Sequence, residues 1–251
     1  MITDPWFYAV AIPAVLLSAV GKGAFGGGIG VMAVPLMSLV VPPLTAAAIM
    51  LPLLCVSDLF VAWTYRNDWD RANMRIILPA GFAGVAIGAL TAGLLSERAI
   101  KLIVGTIAVV FALDHWFGRR ATQPAPIDWR KGTFWSAIAA YTSFIANAGS
   151  PPLNLYLLPQ RLDKIAFVGT IVIYWTIINY AKVIPYAWLG LFDRTTLLTM
   201  LVLLPLTPLG TWLGVWLTRR LPAQAFFSVC YGIVFVVGAK LLWDGAGSIL
   251  G

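Results

Sequence analysis

Charged and metal-binding side chains are scarce in this chain of 251 residues. Only 11% of its residues are charged, and it contains 1 histidine and 2 cysteines. A single histidine does not supply the ligand set of a zinc site, and no serine, histidine and acid triad is evident. The cysteines lack C-x-x-C spacing and lie in apolar sequence, so we interpret them as packing residues. No metal, no cofactor and no enzymatic activity are therefore expected.

Apolar residues are correspondingly abundant. They make up 60% of the chain, and its mean hydropathy is +0.87. This exceeds what one soluble core requires, so it predicts an all-α polytopic membrane protein whose partner is the lipid bilayer. Apolar stretches of about 20 residues, long enough to cross a hydrocarbon layer about 30 Å thick, recur along the chain. They are 45–65, 72–94, 99–117, 165–189, 195–217 and 225–243.

Two further apolar segments, 6–41 and 132–159, are interrupted by glycine, proline and asparagine. Neither fits a single straight helix, and we predict that each forms a broken helical hairpin. Residues 21–26 also match the dinucleotide pattern G-x-G-x-x-G. A dinucleotide loop would need a preceding strand and an acidic residue about 20 positions later, and the sequence around it is apolar throughout. We interpret that match as chance.

The same order of features occurs twice along the chain. A proline followed by a small-xxx-small pair appears at Pro79, Gly84 and Gly88, and again at 205–214. Such pairs let membrane helices approach closely. The repetition predicts a duplication within one transmembrane domain that covers 1–251. Its predicted parts are repeat one at 6–117, a hydrophilic cytoplasmic linker at 118–131 and repeat two at 132–243.

The basic residues predict orientation. The formal net charge is +7, but no nucleic-acid motif is present, so nucleic acid is not an expected partner. If Lys22 and Lys182 are buried and each broken segment returns to the side it entered, 11 of the remaining 15 lysines and arginines share one side. The positive-inside rule then predicts two inverted repeats, each a broken hairpin plus three transmembrane helices, with both termini extracytoplasmic. The 11 residues are Arg66, Arg71, Arg75, Arg119, Arg120, Arg130, Lys131, Arg161, Lys164, Arg219 and Arg220.

The two helix breaks are the predicted binding site. Inverted repeats with discontinuous helices at equivalent places are typical of secondary transporters, whose sites form where half-helices meet. Backbone N–H groups freed at a helix N-terminus carry partial positive charge and bind anions. The residues proposed to bind at the breaks are Gly26, Gly27 and Gly28 in the first half, and Asn147, Gly149, Ser150 and Asn154 in the second.

Charged side chains inside the apolar segments are costly and point to function. Lys22 and Lys182 are basic, and Asp58 is acidic. This balance favours a substrate with negative charge, and Asp58 is expected to neutralise a lysine or to carry a proton. A purely structural Asp–Lys pair is the alternative. Asn179 and Lys182 stand at i and i+3, so we expect both to face the same cavity.

The runs G-K-G-A-F-G-G-G-I-G-V-M-A-V-P at 21–35, N-A-G-S-P-P-L-N-L-Y-L-L at 147–158 and I-I-N-Y-A-K at 177–182, with the repeated P-x4-G-x3-G, resemble the TauE/SafE family of sulfite and organosulfonate exporters. This family is also called the 4-toluenesulfonate uptake permease family. The resemblance implies a secondary transporter of a bacterial inner membrane for small sulfur-containing anions, with export as its direction. The second motif has fewer glycines than is common in similar proteins.

Together these features predict a transporter of sulfite, sulfoacetate or related organosulfonates that works by alternating access. Two alternatives stay open. One is a permease for a different small solute, such as a carboxylate or a cation. The other is a membrane-embedded enzyme or an accessory subunit, although an enzyme would need a convergent catalytic set and the sequence offers isolated charges. The sequence does not define an oligomeric state.

Overall fold

The structure is a computed structural model that describes residues 1–25, 33–118, 124–218 and 223–247. All regular elements in these ranges are helical, as predicted for a chain whose backbone polar groups must be satisfied within lipid. The α-helices are α1 (Pro5–Phe25), α2 (Ala33–Met37), α3 (Pro43–Tyr65), α4 (Arg71–Ala92), α5 (Glu97–Phe117), α6 (Trp129–Ala146), α7 (Ser150–Leu157), α8 (Lys164–Trp188), α9 (Arg194–Leu203), α10 (Leu206–Thr218) and α11 (Ala223–Gly247). A short 3-10 helix, Leu158–Gln160, follows α7.

Three of these helices are long and apolar enough to cross a membrane, by length and composition. They are α1, α4 and α8. The predicted span 195–217 is not one straight helix, because α9 and α10 meet at a bend of 41°. Pro205 lies at this bend and lacks the N–H that a continuous helix would use. Counted as one broken span, α9 and α10 raise the number to four, and the other predicted spans stay predictions.

The second predicted helix break is present in the structure. Helix α6 ends at Ala146, and Asn147 caps it with left-handed backbone, at φ 49°. Asparagine tolerates this conformation better than most residues. Helix α7 then begins at Ser150, with prolines in its first turn, where a missing N–H costs no helical hydrogen bond. The first predicted break, at Gly26, Gly27 and Gly28, lies outside the described residues.

The helix contacts pair the two halves of the chain. Helix α4 packs on α6 and α10 packs on α1, while α3 contacts α8 and α5 contacts α11. Helix α1 can be matched with α6, α3 with α8, α5 with α11, and α4 with α9 and α10 together. When the two halves are exchanged in this way, the contact of α4 with α6 becomes that of α10 with α1. The contacts of α3 with α8 and of α5 with α11 become themselves. Such an exchange is the pattern of a two-fold relation between repeats. The opposite orientation of the repeats remains a prediction.

The repeated glycines lie at these equivalent contacts. A Cβ added at Gly84 would overlap the carbonyl oxygen of Ala137 on α6, and one at Gly88 would lie 2.8 Å from the Cβ of Phe144. A Cβ at Gly210 would lie 2.6 Å from the Cβ of Ala19 on α1. These glycines therefore allow close helix approach, as the small-xxx-small pattern predicts.

Equivalent aspartates begin α4 and α9. Asp70 accepts a hydrogen bond from the backbone N–H of Asn73, and Asp193 accepts one from the backbone N–H of Thr196. Each bond satisfies an N–H that the first helical turn leaves free. The bond from Thr196 lowers the pKa of Asp193, which is exposed to solvent. The Asp-Arg sequence that occurs at both positions therefore corresponds to the same capping arrangement at two helix starts.

Candidate functional site

A cavity between α1, α3, α6, α7 and α8 brings most of the predicted polar residues together. It contains about 510 Å³ of space between atoms, and part of that space is open to the surroundings. Its described lining is mixed, with charged, amide, hydroxyl and aromatic groups. The lining residues are Ser18, Lys22, Leu54, Asp58, Ser143, Asn147, Gly149, Ser150, Val172, Trp175 and Asn179.

Lys22 and Asp58 form a buried ion pair in this cavity. The Lys22 Nζ lies 2.6 Å from Asp58 Oδ1, and it also donates a hydrogen bond to the carbonyl oxygen of Leu54 at 3.1 Å. Asp58 Oδ2 accepts a hydrogen bond of 2.8 Å from the Asn179 amide. The exposed fractions of Lys22 and Asp58 are 7% and 1%. Charges removed from water to this extent are tolerated when they are paired and hydrogen-bonded.

Lys182 is fully buried and has different partners. Its Nζ donates to Asn147 Oδ1 at 2.7 Å, to Ser143 Oγ at 2.9 Å and to the Ser143 carbonyl oxygen at 3.2 Å. These three acceptors use its three donors, and all of them are neutral. Lys182 is absent from the described cavity lining. It therefore lies on the side of Ser143 and Asn147 that does not face the cavity, and its hydrogen bonds fix the positions of these two residues.

This position differs from the expectation that Asn179 and Lys182 face one cavity. Asn179 lines the cavity, but Lys182 points toward the break between α6 and α7. Side chains three positions apart on a helix share a broad face, yet their directions diverge by about 60°. The divergence sends one side chain to Asp58 and the other to Asn147.

The break between α6 and α7 forms one wall of the cavity through Asn147, Gly149 and Ser150. The Asn147 amide donates to the carbonyl oxygen of Ala47 on α3 at 3.2 Å, so its oxygen faces Lys182 and its nitrogen faces α3. A Cβ at Gly149 would overlap the Trp175 ring and the Ala139 carbonyl oxygen. Glycine is therefore required where α7 begins. The adjacent prolines lack N–H groups, so fewer backbone donors are free at this helix start than in an ordinary helix.

Five of the described lining residues were not predicted from the sequence, namely Ser18, Leu54, Ser143, Val172 and Trp175. Two of them carry polar groups without a partner. The indole N–H of Trp175 and the hydroxyl of Ser18 are buried and have no hydrogen-bond partner within the described ranges, although both residues line the cavity. Helical spacing was the available signal, because Trp175 precedes Asn179 by four positions and Ser18 precedes Lys22 by four. Unsatisfied buried donors of this kind call for a partner from water or a ligand.

Asn154 lies outside the cavity. It is on α7, one turn beyond the wall-forming residues, and does not contribute to the described lining. Its side-chain oxygen is buried without a hydrogen-bond partner in the described part of the chain. Gly26, Gly27 and Gly28 lie outside the described residues, so their predicted role stays a prediction. Over the residues that were searched, no group of three or more His, Cys, Asp or Glu side chains is placed to hold a metal ion.

The unpartnered donors of the cavity are suited to an anion. Lys22 and Asp58 cancel each other in charge, and the three acceptors of Lys182 are neutral. Trp175 and Ser18 add donors that have no partner in the described part of the chain. Protonation of Asp58 would leave the charge of Lys22 without its partner. The site is thus suited to oxyanions, which accept hydrogen bonds and carry negative charge.

An all-helical membrane protein with a buried, charged cavity between packed helices is the class that this fold and site define. Within that class, the chain belongs to the TauE family, sulfite exporter TauE/SafE, whose family model matches residues 11–241. The resemblance seen in the sequence motifs is thereby confirmed. The family is one of membrane transporters for sulfur anions. No curated protein and no solved structure matches the chain.

Proposed function

We propose that this protein exports sulfite and related small sulfur oxyanions across a bacterial inner membrane by alternating access, with one proton carried on Asp58. The observation that carries the proposal is the cavity in which the Lys22–Asp58 pair meets the free donors of Trp175 and Ser18. The family membership supports sulfur anions as the substrate class. The proposal makes the protein a transporter and not an enzyme.

Binding of the anion rests on hydrogen-bond donors that have no other acceptor. Lys22 donates one N–H to the carbonyl oxygen of Leu54 and pairs by charge with Asp58 Oδ1, which leaves an N–H of its three for a ligand. The indole N–H of Trp175 and the hydroxyl of Ser18 supply two more. An oxyanion has several acceptor oxygens, so it satisfies these donors together. Each such bond to a charged group is worth about 1.5–3 kcal/mol in net terms.

Coupling to a proton rests on the position of Asp58. A bound anion would add negative charge next to a carboxylate that already shares Lys22, and like charges at this distance repel strongly. Protonation of Asp58 removes the repulsion and frees Lys22 for the anion. Anion binding and Asp58 protonation therefore favour each other, and this reciprocity is a thermodynamic requirement. The buried structural pair is the alternative, and it predicts no proton movement.

Coupling to a proton also determines the electrical driving force on the transported sulfite. A sulfite dianion that moves with one proton carries a net charge of −1. A membrane potential that is negative inside pushes this charge outward, with about 2.3 kcal/mol for each 100 mV. Export is therefore favoured by the membrane potential. The two-fold pattern of helix contacts supports alternating access, because exchange of the two halves would open the same site to the other side.

Transport of labelled sulfite by the purified protein in liposomes tests this function. The wild type is expected to move sulfite faster when the potential is negative on the sulfite side. The Lys22→Met variant is expected to lose transport, while Lys101→Met serves as control because Lys101 pairs with Glu97 at the surface. Sulfite transport that ignores the potential, or that survives in Lys22→Met at the control rate, would refute the proposal.

A small carboxylate is the second candidate substrate, because the free donors bind negatively charged oxygens and make no distinction by the atom that carries them. Inhibition of labelled sulfite transport by unlabelled competitors distinguishes the two substrate classes. If acetate or oxalate at equal concentration leaves labelled sulfite transport unchanged, the cavity selects sulfur oxyanions. Equal inhibition by carboxylates and by unlabelled sulfite would assign the protein a broader anion range.

A further inference from the structure

A second, smaller cavity adjoins the site described above at Lys22. It contains about 210 Å³ of space between atoms. Helices α1, α3 and α10 enclose it, and it shares Ser18, Lys22 and Leu54 with the larger cavity. Its other described lining residues are Val15, Ala19, Met50, Leu53, Ser57 and Thr207. Lys22 therefore connects the two cavities.

Two buried hydroxyls in this small cavity have no partner. The side chains of Ser18 and Thr207, with exposed fractions of 2% and 4%, make no hydrogen bond within the described part of the chain. A buried hydroxyl without a partner destabilises the folded state. Ser57 also lines the cavity, and its hydroxyl donates to the Leu53 carbonyl oxygen at 3.0 Å, so its oxygen is free to accept.

Water is the ligand that fits these groups. The lysine ammonium makes the cavity unfavourable for a metal cation, and its small size and apolar walls are unfavourable for a second organic anion. A buried water typically makes about three hydrogen bonds to polar groups that are otherwise unsatisfied. Thr207 and Ser57 supply two of these bonds, and Ser18 supplies the third while no anion is bound to it.

We propose that this cavity holds water and delivers protons to Asp58 through Lys22. The ammonium of Lys22 gives one proton to Asp58 Oδ1, which lies 2.6 Å away. The neutral amine then takes a proton from a hydronium ion in the small cavity, which becomes water. The net result is one proton added to Asp58, with Lys22 again an ammonium. This route rests on the proposed proton coupling, and it acts before an anion takes up the donors of Lys22 and Ser18.

Thr207→Val tests the route, because it removes the hydroxyl and keeps the size of the side chain. Thr211→Val is the matched control, since Thr211 is one turn further along α10 and its hydroxyl donates to the Thr207 carbonyl oxygen. Infrared difference spectra after a pH jump, recorded without sulfite, follow protonation of the Asp58 carboxyl. The Asp58→Asn variant identifies its band.

The carboxyl band is expected to rise about tenfold more slowly in Thr207→Val and in Ser18→Ala, because loss of one hydrogen bond raises the barrier for proton transfer to Asp58. Thr211→Val should match the wild type. Equal rates in Thr207→Val and Thr211→Val would overturn the proposal. If the slowing occurs but the wild type does not bind sulfite in a thermal-shift titration, the proposed substrate fails and the proton route stands.

Discussion

The two buried lysines of this protein lie in different halves of the chain and have different surroundings. Lys22, in the first half, faces the cavity and pairs with the Asp58 carboxylate. Lys182, in the second half, lies behind the cavity wall and is held by neutral oxygens of Ser143 and Asn147. A buried charge inside an apolar segment can therefore face a cavity or fix the residues of its wall, and its partners distinguish the two cases. In the proposed function, Lys22 binds the ligand and Lys182 fixes the position of Asn147.

Removal of Lys22 alone is expected to have the largest effect, because it leaves the Asp58 carboxylate buried without its partner. The cost of breaking such a pair is about 3–5 kcal/mol of folding free energy. We expect Lys22→Met to lower the unfolding temperature strongly and to abolish transport.

The double variant Lys22→Met, Asp58→Asn separates folding from function. With both charges gone, we expect the unfolding temperature to return close to the wild-type value while sulfite transport stays absent. Restored transport in the double variant would show that the pair is purely structural. Unfolding of the reconstituted protein and uptake of labelled sulfite are the two measurements.

Lys182→Met is expected to have the next largest effect, since it leaves Ser143 Oγ and Asn147 Oδ1 without their donor. Each buried acceptor that loses its partner costs about 1–3 kcal/mol. Sulfite affinity should fall as Asn147 loses its fixed position, but the pH profile of transport should keep its wild-type shape. A changed pH profile would mean that Lys182, and not Lys22, takes part in proton coupling.

Gly149→Ala tests the wall of the cavity that the break between α6 and α7 forms. The added methyl group would overlap the Trp175 ring and the Ala139 carbonyl oxygen, and overpacking of this kind costs about 1–3 kcal/mol. Gly93→Ala is the control, because nothing lies within 4 Å of its added Cβ. We expect a lower unfolding temperature and weaker sulfite binding for Gly149→Ala only. Identical behaviour of the two variants would show that α7 begins in a looser arrangement.

Trp175→Phe is expected to have the smallest effect, because it removes one N–H and keeps most of the ring. Loss of one donor to an anionic oxygen lowers affinity by about 1.5 kcal/mol, the low end for a bond to a charged group, which is about tenfold. Trp188→Phe is the control at an exposed position of the same helix, with an exposed fraction of 84%. Sulfite affinity measured by titration should fall for Trp175→Phe alone, and an unchanged affinity would exclude the indole from the site.

Much of the fold was predictable because its signals are local. Apolar stretches predicted α4, α5 and α8 to within a few residues, and the run Asn147 to Pro152 predicted the helix break, since these residue types end one helix and begin another. The bend at Pro205 was missed because the apolar pattern continues across it. Pro79, the equivalent residue, stays inside a continuous helix, so sequence alone did not distinguish the two.

The candidate site was less predictable because its contacts join distant residues. Asp58 and Asn179 are 121 positions apart, and Lys182 and Asn147 are 35 apart. The sequence indicated which polar side chains are unusual, but their partners depend on how the helices pack. Trp175 and Ser18 were overlooked because tryptophan and serine are common in membrane helices, and it is their unsatisfied donors in the structure that mark them.

The decisive measurement of proton coupling is the ratio of protons to sulfite moved by Asp58→Asn, compared with the wild type. Labelled sulfite and a pH-sensitive dye, recorded together in the same liposomes, give this ratio. We expect one proton for each sulfite in the wild type and no coupled proton in Asp58→Asn, whatever sulfite transport that variant retains. An unchanged ratio in Asp58→Asn would show that the proton travels on another group and that Asp58 does not couple transport to protons.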